Sequence, residues 1–374
     1  SVAGSLLREV QRSASIPDNV SGSIPQLFRR AVVVFLLSAA VVVADAASLK
    51  YVQGTDGKRP RPRVAVTNVC AWPNLTLLRD GTIAALIHNQ PSHLKLPSDI
   101  ECWASVDEGL SWARRGTPAP RDTPKTARGN VAAGLAKNGD LIVVASGWSD
   151  PTAKNGRGSV LVPLVSRSTD GGRNWAINTN AFSKITVPFG DVLAGADGSL
   201  RVALYRGSSG ATEVYRSRDD GVSWGEPVVI DPNAVIHEPA LFHLGNGKWL
   251  AAARLDGLNL YASDDDAKTW VLRKTLTGRQ QHPGHFTRLK DGRVLLSYGN
   301  RLKPKGVDIR LSDDEGLTWS EPYRVMDFEG DGGYPSSVQL ADGKVMTAYY
   351  ARIIEDHDGY HMGVVIWDPA STRE

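Results

Sequence analysis

Apolar segments of strand length alternate with polar turns through most of the chain. Six times, an apolar segment is followed by a polar turn and then by a second apolar segment. The first copy is WPNLTLLRDGTIAALIHN at 72–89. The other copies occupy 129–146, 190–207, 237–254, 284–301 and 333–350. Two such runs around a short turn that contains Gly predict a β-hairpin, so the pattern predicts six hairpins.

A second, polar pattern is interleaved with the hairpins. It reads Ser-x-Asp-x-Gly-x-(Ser/Thr/Asn)-Trp, and we call it the staple. It occurs at 105–112, 168–175, 217–224, 263–270 and 312–319, with Ala267 in place of Gly in the fourth copy. An Asp that bonds the backbone ahead of it and a Gly that accepts positive φ are typical of tight turns. We therefore expect the staples to be structural turns between strands.

A hairpin followed by a staple hairpin makes four strands, and repetition of such units predicts a β-propeller. Six hairpins predict an all-β fold with six blades in a single domain over 47–374. The sixth hairpin has no staple, and HMGVVIWDP at 361–369 offers one further strand. We expect the segment 48–54 to return and complete this last blade, which would leave no exposed edge.

The first 46 residues have a different composition. Arg29 and Arg30 precede an apolar run at 31–43, and Ala-Asp-Ala follows at 44–46. A basic flank, a short apolar core and small residues at a cleavage site are typical of a secretory signal, while an uncleaved anchor is the alternative. The sequence predicts a secreted or periplasmic protein without stable membrane insertion after cleavage.

Charge and cysteine content narrow the possible partners. The net charge is +3 and no Lys/Arg block stands out, so a nucleic-acid partner is not indicated. The ten Trp and 37 Gly residues favour a turn-rich β protein. Export would permit a disulfide between Cys70 and Cys102, but the sequence does not show whether they meet.

Candidate site residues follow from the propeller itself. The innermost strand of each blade lines the axis, so the starts of these strands, and the ends of the strands beside them, face a common pocket. Five of the eight histidines (88, 93, 237, 282 and 285) lie in or near this set. The candidates for substrate binding are Trp72, His88, Asp191, His237, Arg254, His285 and Arg301. His282 and His285 have a spacing that could hold a metal, but two histidines are weak evidence, and no cofactor or metal is predicted.

The five staples and the residues above resemble the sialidase superfamily, whose Asp-box or BNR repeats they match over roughly 60–370. The resemblance implies a secreted exo-glycoside hydrolase that removes a terminal acidic sugar from a glycan. Tyr334 in GGYPS is similar to the family's nucleophile, and Glu238 in HEPAL to the Glu that activates it. Arg254 and Arg301 resemble the second and third arginines that bind the substrate carboxylate. A neutral phenol suits an anomeric carbon that carries a carboxylate, because it avoids charge repulsion.

Two positions depart from the family pattern. Ala71, in CAWPNL, stands where the family has its first carboxylate-binding Arg. The loop before the first staple contains a single Asp, Asp99, as a candidate acid–base residue, and His93 or His88 could act instead.

These departures keep two other functions open. One is a polysaccharide lyase or rhamnosidase-like enzyme that uses His, Tyr and Arg on uronate-containing glycans. The other is a non-catalytic carbohydrate-binding propeller. In each case the partner is a glycan.

Overall fold

The computed structural model describes residues 49–150, 158–206 and 210–373, and the regular secondary structure in this part of the chain is almost entirely β-strand. The predicted secretory signal over 1–46 lies outside the described residues. Within the described part, no helix has the length and apolar character needed to cross a membrane.

Within these described ranges, twenty-five strands and one short 3-10 helix follow one another. The first strands are β1 (Lys50–Tyr51), β2 (Arg63–Thr67), β3 (Ala71–Leu77), β4 (Ile83–His88), β5 (Ile100–Ser105), β6 (Ala113–Ala119), β7 (Ala127–Leu135), β8 (Leu141–Trp148), β9 (Leu164–Ser168) and β10 (Ala176–Asn178). Next come β11 (Val187–Ala194), β12 (Leu200–Tyr205), β13 (Glu213–Ser217), β14 (Gly225–Val229), β15 (His237–Gly245), β16 (Lys248–Arg254), β17 (Leu258–Ser263) and β18 (Val271–Thr275). The last are β19 (Gln281–Arg288), β20 (Val294–Asn300), β21 (Gly306–Ser312), β22 (Tyr323–Asp327), β23 (Glu329–Gln339), β24 (Val345–Ile354), β25 (His357–Trp367) and the 3-10 helix Pro369–Thr372.

The strands form five sheets in a propeller-like arrangement. Three sheets have four strands, in the orders β3-β4-β5-β6, β15-β16-β17-β18 and β2-β25-β24-β23. A fourth sheet has the order β1-β22-β21-β20-β19. The fifth has eight strands, because parallel pairing of β11 with β7 joins two antiparallel sets, β7–β10 and β11–β14. Each of the six predicted hairpins is present as an antiparallel pair of strands.

The closure of the last sheet differs from the sequence-based expectation. The segment 48–54 does not complete it; β1 pairs in parallel with β22 of the preceding sheet instead. The strand that pairs with β25 is β2. Two contacts explain this outcome: Val52 is fully buried beside Val325, and the Tyr51 hydroxyl donates to Asp327 at 2.8 Å. The expectation was wrong because these tertiary contacts hold 50–52 at the neighbouring sheet.

The staples are turns closed by side-chain hydrogen bonds, as predicted. In the copy at 168–175, the Ser168 hydroxyl donates to Asp170 and accepts from the Gly172 N–H, both at 2.8 Å. The other end of the turn is closed by Asp170, which accepts from the Asn174 N–H at 2.9 Å. The Trp175 indole donates to the Gly172 carbonyl at 3.0 Å and packs against the neighbouring core. This copy thus satisfies its own polar groups and anchors one sheet to the next, and the copy at 312–319 repeats the indole bond, whereas the indole N–H groups of Trp112, Trp224 and Trp270 have no partner among the described residues.

Apolar side chains form six buried clusters in the described residues, and each cluster joins consecutive sets of strands. One of them joins the last set to the first: Val338 and Met346, of β23 and β24, pack with Leu75 and Ile83, of β3 and β4. Because this contact spans most of the sequence, it fixes the inner strands around a common centre.

Replacing the staple glycine should destabilise the fold more than replacing a hairpin glycine of similar φ. Gly316 has φ +89°, and an added Cβ would lie 2.7 Å from Leu250 Cδ1. Gly292 has φ +93° with open space around it. We expect Gly292→Ala to cost about 1 kcal/mol through the backbone alone, and Gly316→Ala about 2–3 kcal/mol because the clash is added. Urea unfolding of both variants measures the difference, and equal losses would show that the packing of the staple contributes nothing.

Candidate functional site

The inner strands break their pairing register where they reach the centre of the molecule. β3, β15 and β23 each have such a break after their first residues. At these breaks Trp72, Glu238 and Tyr334 have φ values of +44°, +42° and +49°. A bulge of this kind re-aims a side chain, and left-handed backbone at a non-glycine residue costs of order 1–3 kcal/mol. The three side chains consequently line one central cleft.

Each of these three residues precedes a proline, in WPNL, EPAL and YPSS. Proline has no N–H to donate, so it is tolerated in a sheet mainly at edges and bulges. The X-Pro dipeptide at the start of an inner strand is therefore a sequence signal for a cleft-lining residue. The sequence analysis named the residues but missed this shared signal.

The cleft has a volume of about 830 Å³, part of it open to solvent. Aromatic and polar side chains together line it. Among its lining residues are Trp72, His93, Phe189, Tyr205, His285 and Tyr334. A concave site with aromatic walls and a few convergent polar groups suits a small ligand such as a sugar ring.

Tyr334, Glu238 and Arg254 form a continuous chain of hydrogen bonds. The Tyr334 hydroxyl donates to Glu238 Oε1, and Arg254 Nη1 donates to Glu238 Oε2 at 2.7 Å. Burial raises the pKa of Tyr334 well above its usual value, and the Glu238 carboxylate adds to the increase while Arg254 and Arg301 oppose it. The phenol is therefore neutral at rest, with a proton acceptor already in contact.

Arg301 lies beside the tyrosine ring, with its guanidinium carbon 5.6 Å from the ring centroid of Tyr334. One of its nitrogens, Nη1, is 2.9 Å from His282 Nδ1 and donates to the His282 carbonyl at 2.5 Å. Burial, together with the charges of Arg254 and Arg301, lowers the pKa of His282 to about 3. His282 is thus a neutral acceptor that holds Arg301 in place without cancelling its charge.

Trp72 forms the aromatic wall next to the nucleophile candidate. Its ring centroid lies 6.0 Å from that of Tyr334 and 5.2 Å from that of His93, which meets it edge-on. On its other face it stacks on His88 at 5.0 Å. A flat wall of this kind suits the apolar face of a sugar ring.

Asp331 is a site residue that the sequence analysis missed. Its Oδ2 lies 2.5 Å from His93 Nε2 and accepts from the hydroxyls of Tyr350 and Tyr360, each at 3.1 Å. Burial works against ionisation, but these hydrogen bonds prevail and lower the pKa of Asp331. Cys70 lies beside the pair, and its sulfur, the His93 nitrogen and an Asp331 oxygen are all within 4.8 Å of one another.

His285 lines the cleft and takes part in a group of polar contacts. Its Nδ1 accepts from the Ser337 N–H at 3.2 Å, which leaves Nε2 to carry the proton in the neutral ring. That nitrogen is 3.3 Å from Asp191 Oδ2 and 3.2 Å from Ser336 Oγ. Asp191 in turn accepts from the Asn74 amide at 3.1 Å. The group joins four inner strands through polar contacts at the edge of the cleft.

A family model assigns the chain to a known protein family. The family model described as BNR repeat-like domain matches residues 96–347, more than half of the chain. This chain belongs to the BNR repeat-like family.

Solved structures of low sequence identity share its fold. A protein of unknown function from Dyadobacter fermentans has 24% identity and a TM-score of 0.69, over 83% of this chain and 98% of that chain. The K499G mutant of NanB sialidase from Streptococcus pneumoniae has 14% identity and a TM-score of 0.60, over 86% and 71%. Trypanosoma rangeli sialidase has 18% identity and a TM-score of 0.60, over 85% of this chain but only 57% of that one. No curated protein sequence matches the chain significantly.

The structure brings together only some of the residues chosen by resemblance to the sialidase superfamily. Asp99 is not among the cleft-lining residues; it accepts from the Arg121 N–H at 2.7 Å and lies 3.5 Å from the Arg121 guanidinium. His88 is buried behind Trp72, with its ring nitrogens 3.0 and 2.9 Å from the carbonyl oxygens of Arg128 and Ser92. Burial lowers the pKa of His88 to about 4. It supports the wall and does not line the cleft.

His237 also lies outside the cleft lining. It packs edge-on against Tyr205, with ring centroids 5.5 Å apart. Arg254 and Arg301 are not among the cleft-lining residues either, but each contacts one that is, Glu238 and Tyr334 respectively. Cys70 and Cys102 are both buried and free, so the disulfide that export would permit is not formed.

His282 should make the fold of this BNR-family protein sensitive to mild acid. Its pKa of about 3 in the fold lies below the value near 6.5 of an exposed histidine, so unfolding takes up a proton and stability falls as the pH drops below about 6.5. Asn can replace the Nδ1 acceptor but does not titrate. We expect His282→Asn to reduce the loss of stability between pH 7.5 and pH 5 by about 1 kcal/mol, after allowance for screening. Urea unfolding at both pH values measures this, and parallel losses in the two proteins would contradict it.

Proposed function

We propose that this protein is a glycoside hydrolase that removes a terminal, carboxylate-bearing sugar from a glycan through Tyr334. The observation that carries the proposal is the hydrogen-bond chain from the Tyr334 hydroxyl through Glu238 to Arg254 at the wall of the cleft. A nucleophile in contact with its base, and a base oriented by a third group, is the arrangement that nucleophilic catalysis requires.

In the first step, the Tyr334 oxygen bonds to the anomeric carbon and its proton passes to Glu238 Oε1. The bond from that carbon to the leaving oxygen breaks, and the leaving oxygen takes a proton from an acid on the cleft wall. Because the pKa of Tyr334 is raised by burial, the phenol does not ionise in advance. The guanidinium groups of Arg254 and Arg301 favour the charge that develops on the phenolic oxygen.

In the second step, water attacks the anomeric carbon and the bond to Tyr334 breaks. The phenolic oxygen recovers its proton from Glu238, and the water proton returns to the residue that served as acid. Two displacements at one carbon retain its configuration. His93, which lines the cleft and is hydrogen-bonded to Asp331, is the residue we assign to proton transfer at the leaving group. Asp99 takes no part in this scheme, since its carboxylate is held by Arg121.

Recognition of the carboxylate falls to Arg254 and Arg301. Arginine binds carboxylates in a planar fork that lysine does not reproduce. The first arginine of the family pattern is replaced by Ala71, which is buried and apolar. With two arginines, neutral donors of the cleft would also have to hold the substrate carboxylate. Sialic acid is one member of the class of carboxylate-bearing sugars.

Proteins of similar fold support the same reaction class. The chain belongs to the BNR repeat-like family, and structures of similar fold are named sialidases. One of them is Trypanosoma rangeli sialidase in complex with 2,3-difluorosialic acid, where the complex is described as a covalent intermediate. A covalent intermediate is what a tyrosine nucleophile would form here.

We further infer a six-bladed propeller over 47–374, preceded by a secretory signal. The six apolar clusters, each between consecutive sets of strands, support six blades arranged in a closed ring. The basic flank at Arg29–Arg30 and the apolar run at 31–43 support export. An exported enzyme would meet its glycan outside the cytoplasm.

Removal of the nucleophile or its base should abolish turnover without loss of the fold. We expect Tyr334→Phe to eliminate measurable release of a fluorogenic acidic glycoside, and Glu238→Gln to lower kcat by about 10²–10⁴-fold. Tyr349→Phe is the matched control, because Tyr349 is also a buried tyrosine but its hydroxyl has no partner among the described residues. Full activity in Tyr334→Phe would refute the nucleophile assignment.

A second candidate is β-elimination from a uronate-containing polysaccharide, which the His93–Asp331 pair beside Tyr350 and Tyr360 favours. There, a base removes the proton next to the carboxylate, the bond to the leaving sugar oxygen breaks, a carbon–carbon double bond forms, and an acid protonates that oxygen.

A panel of substrates separates these reactions. We expect wild type to release dye from acidic glycosides and to leave uronate polysaccharides unchanged. An increase of ultraviolet absorbance from an unsaturated product would favour the lyase instead. Binding without turnover on either class, unaltered in Tyr334→Phe, would identify a carbohydrate-binding propeller and reject both reactions.

A further inference from the structure

Three side chains with metal-binding atoms meet at one side of the cleft from distant parts of the chain. Cys70 lies just before β3, His93 in the loop between β4 and β5, and Asp331 in β23. Their sulfur, nitrogen and oxygen atoms lie within 4.8 Å of one another. Within the ranges that the structure describes, this is the one group of three or more such residues at this spacing.

No permanently charged side chain neutralises Asp331 in the described part of the chain. Among the described residues, the only ion-pair partner of Asp331 is His93; no Arg or Lys lies within 4.0 Å of its carboxylate. The Cys70 sulfur is fully buried and makes no hydrogen bond within the described part of the chain. Tyr350 and Tyr360 supply neutral donors. A partly buried carboxylate beside a thiol is costly without a cation, so the group resembles a site prepared for one.

We propose that Cys70 Sγ, His93 Nε2 and an Asp331 carboxylate oxygen bind a zinc ion. A thiolate, an imidazole and a carboxylate together suit a borderline-soft ion that prefers four ligands, whereas Ca²⁺ and Mg²⁺ select oxygen ligands. Three protein ligands leave the fourth position for water or a substrate oxygen. His93 lines the cleft, so that position is accessible from the cleft.

The present geometry requires one small adjustment. Ligand atoms of a tetrahedral zinc site lie about 3.5 Å apart, since each bond is about 2.0–2.3 Å long. His93 Nε2 and Asp331 Oδ2 are 2.5 Å apart, which is the spacing of a shared proton. Zinc would replace that proton, and the atoms would separate by about 1 Å. His93 is partly exposed on a loop, so the movement would be taken up by the loop and by the edge contacts of the His93 ring with Trp72, Tyr350 and Tyr360.

Zinc at this position would also change the assignment of the acid. With His93 Nε2 bound to the metal, a metal-bound water would supply the proton to the leaving oxygen in place of His93. This consequence rests on the proposed function, whereas metal binding itself does not.

The test is metal binding by the whole chain, measured without any substrate. The protein is stripped with a chelator and titrated with Zn²⁺, and separately with Co²⁺, whose bond to a thiolate gives an ultraviolet charge-transfer band. We expect one ion per chain and a thiolate band for wild type. Cys102→Ala is the matched control, because Cys102 is likewise buried and free but belongs to no such group. It should bind as wild type does.

Loss of a ligand should weaken binding sharply. We expect Cys70→Ala to lose the thiolate band and about 100-fold or more in zinc affinity, and Asp331→Asn to weaken zinc binding while keeping the band. Absence of the band in wild type, or its survival in Cys70→Ala, would overturn the proposal, and the wild-type spectrum decides even where a variant does not fold. Because no substrate is present, an inactive protein that binds zinc would refute the hydrolase and leave the metal site standing.

Discussion

The register break at the start of the inner strands is the constraint on which the site depends. A regular strand would send alternate side chains into the cores on either side of a sheet. At Trp72, Glu238 and Tyr334, left-handed backbone before a proline turns the side chain towards the centre instead. The apolar clusters between sheets hold the strands rigidly enough to sustain this local strain. The packing of the repeated sheets thus keeps these three side chains in the cleft despite the cost of their backbone conformation.

The electrostatics of the cleft follow from that positioning. Glu238 is buried between a phenol and a guanidinium, so its two oxygens are satisfied by one neutral and one charged donor. Arg301 is held by a histidine that burial keeps neutral, and its positive charge is therefore available to the site. The result is a neutral phenol, a carboxylate in contact with it and two guanidinium groups within one small region. Such an arrangement suits an anionic substrate, because the guanidinium groups attract it and the neutral phenol does not repel it.

The residues around Trp72 and His93 differ from the pattern that the resemblance to sialidases implies, and the differences are linked through one loop. Ala71 removes one cation, and the loop that contains Asp99 directs that carboxylate to Arg121. The same loop brings His93 to Asp331, next to Cys70 and two tyrosine hydroxyls. Here the cleft therefore presents an imidazole bonded to a carboxylate, whereas Tyr334, Glu238 and Arg254 match the positions that the resemblance to sialidases implies.

The sequence by itself determined the repeated hairpins and the staples, whereas Tyr334 and Glu238 were named through the family resemblance of their short motifs. These features are local: alternation, turn chemistry and a short motif act within a few residues. Only the tertiary structure decided that Arg63–Thr67 closes the last sheet, that Asp99 is withdrawn, and that Asp331 meets His93. Those outcomes depend on contacts between residues up to several hundred positions apart. No local pattern encodes them, because which segments become neighbours is set by the packing of whole sheets around the centre.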